Sequence, residues 1–174
     1  MIEFALVAPL LFTVLFGAID GGFFMYAKNT VDRASEVGMN SIAAAGVAPS
    51  ADGDAIAAMR NAGLGSGALV QVTEIDVDEM AYSAGVYSLV SNCVNGASAC
   101  SNPYDLMGNP LWTIPGGCTD TYKCQPWPPG QRSIHAATAA YVRLTIKYKY
   151  KFFAGPSQFS LSSSHIFRVE PKDV

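Results

Sequence analysis

The spacing of apolar residues changes character along this chain. Residues 4–19 carry no charge, Asp20 interrupts the run once, and residues 21–27 extend it to the first lysine, Lys28. At about 24 residues, such a run is long enough as a helix to cross ~30 Å of hydrocarbon. It passes without a break into KNTVDRASEVGMNSIAAAG, where Val31, Ala34, Gly38, Ile42 and Ala45 recur at spacings of three and four, with Lys28, Asp32, Arg33 and Glu36 elsewhere around the helix. The pattern predicts one helix over residues 2–45, membrane-apolar in its first half and amphipathic in its second. A cleaved secretory signal would place a basic stretch ahead of the run. Here an acid, Glu3, stands there, so the segment is expected to stay as an anchor.

A shorter helix follows in GVAPSADGDAIAAMRNAGLGSG, with Asp52 or Asp54 to cap it, Ile56 and Met59 on one face, and Gly63 to end it. The glycine-rich tail at 63–67 closes a helix and precedes a strand, the reverse of a dinucleotide loop, so it reads as a connector. In ALVQVTEIDVDEM, Val70 and Val72 share one parity, and Ile75 and Val77 share the other. That phase slip at 73–74 predicts a bulged strand or two short ones. Asp76, Asp78 and Glu79 lack the spacing of a calcium loop and are expected at a solvated strand end. Residues 81–130 are rich in Gly, Pro, Asn, Ser, Tyr and Trp and read as an exposed irregular region, its prolines unsuited to a central strand. Tyr104, Trp112, Tyr122 and Trp127 are expected to form its local core or a contact surface. The alternation of YVRLTIKYKYKFF is clear: Val142, Leu144, Ile146, Tyr148, Tyr150 and Phe152 on one face, and Arg143, Thr145, Lys147, Lys149 and Lys151 on the other. After a turn at AGPS, QFSLSSSHIFRVEP supplies Phe159, Leu161, Phe167 and Val169 in one parity, so 139–170 predicts an antiparallel hairpin. The lysine row is read as a solvated face that protects a sheet edge.

Composition narrows the function classes. The net charge of the 174 residues is −3, with 11 Lys and Arg, which argues against nucleic-acid binding. Cys93, Cys100, Cys118 and Cys124 are spaced unlike zinc or redox pairs, and beside an exported or membrane-spanning N-terminus they predict two disulfides. Of the three connectivities, Cys93–Cys100 with Cys118–Cys124 is the favoured one. No nucleophile elbow, metalloprotease helix or P-loop occurs, and His135 and His165 stand apart from any such motif. The expectation is a protein without enzymatic activity, cofactor or metal.

EFALVAPLLFTVLFGAIDGGFFMY resembles the TadE-like pilins and pseudopilins of tight-adherence secretion systems: Glu-Phe, an aliphatic run with an early proline, then glycine and an acid before aromatic residues. The alternating strand, the Pro/Gly turn and the Ser-rich strand ending in FRVEP are similar to the family's C-terminal hairpin. The resemblance covers about the first 45 and last 35 residues. It implies a bacterial prepilin cut by a dedicated peptidase, held in the inner membrane with the pilus assembly machinery, and drawn into a helical filament of its own copies at the cell surface. Glu3 would pair with the N-terminal amine of a neighbouring subunit, Phe4 would follow it into the filament core, and Pro9 would bend the helix. Asp20 would correspond to the family's acid. The expected architecture is α+β: a filament-core helix over 1–46, then an extracytoplasmic domain over 47–174 whose small antiparallel sheet packs on the helix, with a disulfide-stapled loop region. The rival reading is a membrane-anchored binding or pilus-assembly accessory protein that does not polymerise.

Overall fold

A computed structural model describes residues 2–91, 93, 97–112, 124–132, 140–153 and 157–169, with side chains from residue 7 onward. Helix α1 runs unbroken over Ile2–Ala45, through Pro9. After a turn at Gly46, α2 spans Ala51–Asn61. Among the described residues five strands make one antiparallel sheet: β1 (Val70–Ser83), β2 (Val86–Leu89), β3 (Ser101–Tyr104), β4 (Tyr141–Lys151) and β5 (Gln158–Arg168). The order is β2-β1-β4-β5, with β3 also paired to β1 beyond the end of β2. This is the α+β arrangement expected of the sequence.

The core lies where the amphipathic half of α1 meets α2 and one face of the sheet. Val31, Ala34 and Ile42 from α1, Ile56 and Met59 from α2, Ile75 and Val77 from β1, and Val142, Leu144 and Ile146 from β4 are all buried. Gly38 is the point of closest approach. A Cβ there would sit 2.7 Å from the Met59 side chain and 3.1 Å from Leu144 Cδ2, so its absence lets three elements meet. Gly63, at φ +102°, ends α2 in the left-handed conformation that glycine adopts at low cost. The cap at the other end is Ser50, whose hydroxyl donates to Asp54 Oδ2 at 2.8 Å. Asp52 is not a cap, because its carboxylate points inward.

That carboxylate anchors a buried polar cluster. Arg132 Nη2 donates to Asp52 Oδ1 at 2.5 Å, and both side chains are essentially inaccessible. Tyr104 Oη and Asn102 Nδ2 donate to Asp52 Oδ2 at 2.9 and 3.2 Å. Asn102 also grips the backbone of Trp127 at both ends, donating to its carbonyl at 2.7 Å and accepting from its N–H at 3.0 Å. The Arg132 guanidinium lies 4.6 Å from the Trp127 ring centroid. Helix α2, strand β3 and residues 124–132 are thereby tied together, and the aromatic residues Tyr104 and Trp127 are local core, with Trp112 edge-on to Tyr104 at 5.0 Å. Tyr122 lies outside the described residues. Cys93 and Cys100 are bonded, with Cα atoms 5.3 Å apart. Cys124 is also in a disulfide, and Cys118 lies outside the described residues.

The sheet departs from the sequence reading in three places. Residues 81–130 contain the end of β1 and the short strands β2 and β3. Pro103 sits in β3, where β1 is the strand partner on one side and the missing donor costs little. The register shift between Val72 and Glu74 is the expected bulge, yet Asp76 and Asp78 beyond it are mid-strand and 7% and 3% exposed, not solvated. Their partners lie across the strand pair. Arg143 Nη2 is 2.7 Å from Asp78, and Lys147 Nζ is 2.9 Å from Asp76 and 3.2 Å from Glu74. Strand β4 is central, flanked by β1 and β5, so its cationic row guards no edge. Two of its members neutralise the acids of β1 instead.

Two predictions follow from these charges. Arg132→Met leaves the Asp52 carboxylate buried without its cation, and should cost about 3–5 kcal/mol. Denaturant unfolding of the full chain in detergent checks this, and Asp52→Asn combined with Arg132→Met should cost less than Arg132→Met alone. On the outer face, burial first, and then the hydrogen bond that its protonated form donates to Glu74, push the Asp76 carboxyl up to about 6 against the pull of Lys147. The folded chain then holds this proton more tightly than the unfolded one, so Asp76's share of stability is full below about pH 4 and is lost as pH rises through about 6. The stability difference between the native chain and Asp76→Asn should therefore shrink or reverse between pH 4 and 6.5; a difference growing with pH would contradict the assignment.

Candidate assembly and membrane surface on the N-terminal helix

Among the described residues, the first half of α1 has almost nothing to pack against. Leu10 and Val14 are 68% and 65% exposed, and Val7, Leu11, Phe12, Leu15 and Phe16 are also exposed, so the apolar surface continues around the helix rather than along one stripe. The segment qualifies by length and composition to cross a membrane. Its own contacts are local: Phe12 and Phe16 stack one turn apart at 6.4 Å, and the Thr13 hydroxyl donates to the Pro9 carbonyl at 2.8 Å. Glu3 and Phe4 lie in the first turns of α1, and their side chains are outside the described set. Pro9 is exposed within the continuous helix.

Asp20 marks the change of environment. Its carboxylate accepts the backbone N–H of Phe153 at 2.8 Å, and its carbonyl faces Tyr150 Oη at 3.3 Å. One turn on, Phe23 packs on Phe153 with centroids 5.9 Å apart, and Phe24 packs edge-on to Tyr150 at 5.4 Å. Tyr150, Phe152 and Phe159 extend this aromatic chain across the hairpin. The sequence pattern singled out Asp20 but not its partner. A signal was present in KFF, an aromatic pair placed where a hairpin approaches its turn and polar residues are usual.

Further along, an open groove of about 670 Å³ runs between α1 and the 63–70 connector, lined among others by Ile19, Phe23, Tyr26, Leu64 and Leu69. It contains no cationic side chain, so GLGSG lines an apolar trough rather than an anion cradle. Asp32, Ser163 and His165 come together where β5 crosses α1, but in the wrong order for a nucleophile. The Ser163 hydroxyl has one proton and gives it to Asp32 Oδ1 at 2.7 Å, so His165 Nε2, at 3.3 Å, approaches as a donor. That trio clamps the strand to the helix. Among the described residues no cluster of acids, histidines and cysteines has the arrangement of a metal site.

The model of the family described as TadE-like protein matches residues 1–39. That span takes in the exposed apolar half of α1, Asp20, and the start of the buried stripe. No curated protein and no solved structure matches the chain significantly.

Removing the Asp20 carboxylate strips the Phe153 N–H of its partner. Asp20→Ala should loosen the tip of the β4–β5 hairpin at a cost of about 1–2 kcal/mol. Hydrogen exchange of peptides around 150–160 should speed up while those over 70–80 stay unchanged; equal exchange in both regions would show that Asp20 does not hold the tip.

Proposed function

We propose that this chain, TadE-like over residues 1–39, is a structural subunit that polymerises through α1 into an extracellular pilus-like filament. The N-terminal match ties it to the pilus proteins of tight-adherence systems, and α1 provides a helix able to cross a membrane. The observation that favours polymerisation is the unpartnered apolar surface of residues 7–19. Side chains such as Leu10, Phe12 and Val14 contribute roughly 1.5–3 kcal/mol each when moved from water to an apolar setting. A bilayer supplies that setting before assembly, and the helices of neighbouring copies supply it afterwards.

In this scheme Glu3 sets the register. A carboxylate inside an apolar bundle is costly unless a positive group meets it, and the N-terminal amine of the next subunit is the group that polymerisation brings near. A prepilin peptidase and the inner-membrane assembly machinery would deliver subunits to the growing filament. The domain carried on the second half of α1 faces outward and does no chemistry of its own.

Electron microscopy of sheared cell-surface material, with intact-mass analysis of the same sample, tests the reading. The expected result is filaments containing the chain, lost in Glu3→Ala while the sheet domain of that variant stays folded. If the chain remains in the membrane fraction and no filament contains it, the accessory-protein reading replaces this one.

A further inference from the structure

The position of the β4–β5 hairpin along α1 bears on how deep the chain sits before assembly. Three contacts fix that position: Leu144 against Gly38, Ser163 against Asp32, and Phe153 against Asp20. The hairpin therefore descends α1 toward its N-terminus. Gly38 to Asp20 is about 27 Å of helix and Leu144 to Phe153 about 30 Å of strand, so the two run side by side over their whole shared length.

A bilayer core of ~30 Å requires ~20 helical residues. Counted from Phe4, just after the charge of Glu3, that length ends at about Phe23, the residue on which Phe153 packs. The hydrocarbon boundary consequently passes through the level of the hairpin tip. The tip has the composition of an interfacial element. Phe153 and Phe159 are 62% and 57% exposed, Tyr26, three residues on from Phe23, is 72% exposed, and Lys28 and Lys151, each two residues along the chain from one of these rings, are exposed. Exposed phenylalanine rings bury at the boundary between headgroups and acyl chains, tyrosine sits there with its hydroxyl toward water, and flanking lysines favour anionic headgroups. Asp20 gains from the same placement: its carboxylate, just inside the boundary, is met by the Phe153 N–H.

We propose that the tip of the β4–β5 hairpin, through Phe153 and Phe159, is a second membrane-contact element, seated in the interface of the bilayer that α1 enters. The proposal rests on the reading of α1 as a membrane helix. Two points of attachment fix the depth and the rotation of the domain, which a single helix alone leaves free.

The test uses the full chain at low density in vesicles of phosphatidylcholine and phosphatidylglycerol, with acyl chains brominated either near the headgroups or near the bilayer centre. Phe153→Trp reports the tip and Leu11→Trp reports the helix, each after subtraction of the unsubstituted chain's emission from Trp112 and Trp127. The expected result is that shallow bromines roughly halve the Phe153→Trp signal, as for a ring at headgroup level, while deep bromines quench Leu11→Trp. Quenching of Leu11→Trp with an unquenched, water-exposed Phe153→Trp overturns this proposal and leaves the membrane helix standing. A blue-shifted Phe153→Trp that neither lipid quenches means that a second copy covers the tip, and also overturns it. Failure of both reporters to quench removes the membrane reading of α1 itself.

Discussion

Helix α1 has more apolar surface than its own chain can cover, and the remaining elements are arranged around that excess. Beyond residue 27, the stripe of Val31, Ala34 and Ile42 is sealed by α2 and the sheet. Over residues 7–17 none of the described residues seals it, although the helix is the same continuous hydrogen-bonded rod. A helix that is hydrophobic all round is stable only where its whole circumference is dry. The fold therefore needs a boundary along one rod, and it places one at Asp20, where the first carboxylate after the apolar run meets the first backbone donor of the hairpin tip. A family match that ends at residue 39 spans this boundary.

The sheet domain is small, and ion pairs join its elements in addition to apolar contact. Asp52 and Arg132 are fully buried partners in a cluster that also orders Asn102, Tyr104 and the Trp127 backbone. A buried ion pair adds little net stability compared with apolar residues of the same volume, but breaking it is expensive. Its effect here is selective: residues 124–132 have one position against α2 and β3 that satisfies the carboxylate. The outer sheet face repeats the device less deeply, with Glu74, Asp76 and Asp78 of β1 set against Lys147 and Arg143 of β4. Opposed charges on neighbouring strands also fix register, since a slip of one residue would turn them to the other face.

What could be read from the sequence was what depends on short-range periodicity. The unbroken apolar run marked the first half of α1 and three- and four-residue spacing its second, the alternation of β4 identified its buried face, and the change of parity after Val72 marked the bulge. Gly63 as a helix stop, and the bond between Cys93 and Cys100, were equally local. The burial of Asp76 and Asp78 was not legible, because alternation assigns them to the outer face and says nothing of a guanidinium and an ammonium more than sixty residues away. Asp52 looked like a helix cap for the same reason: an acid in a first turn fits that role locally, and its partner is eighty residues on. Strands β2 and β3 are four residues each, too short to show a period, and β3 contains a proline.

Asp20 shows how one residue serves both environments. A carboxylate near the end of an apolar span is tolerated where its oxygens find donors, and a hairpin backbone offers a donor that no substitution but proline removes. The aromatic residues on either side, Phe23 and Phe24 on the helix and Tyr150 and Phe153 on the hairpin, flank that hydrogen bond with apolar contact and add no charge. The same contact that satisfies Asp20 sets the distance between the exposed apolar helix and the folded domain. If α1 leaves a bilayer for a filament, as proposed, the hairpin tip leaves with it, and Phe153 and Phe159 become surface that the new environment must also accommodate.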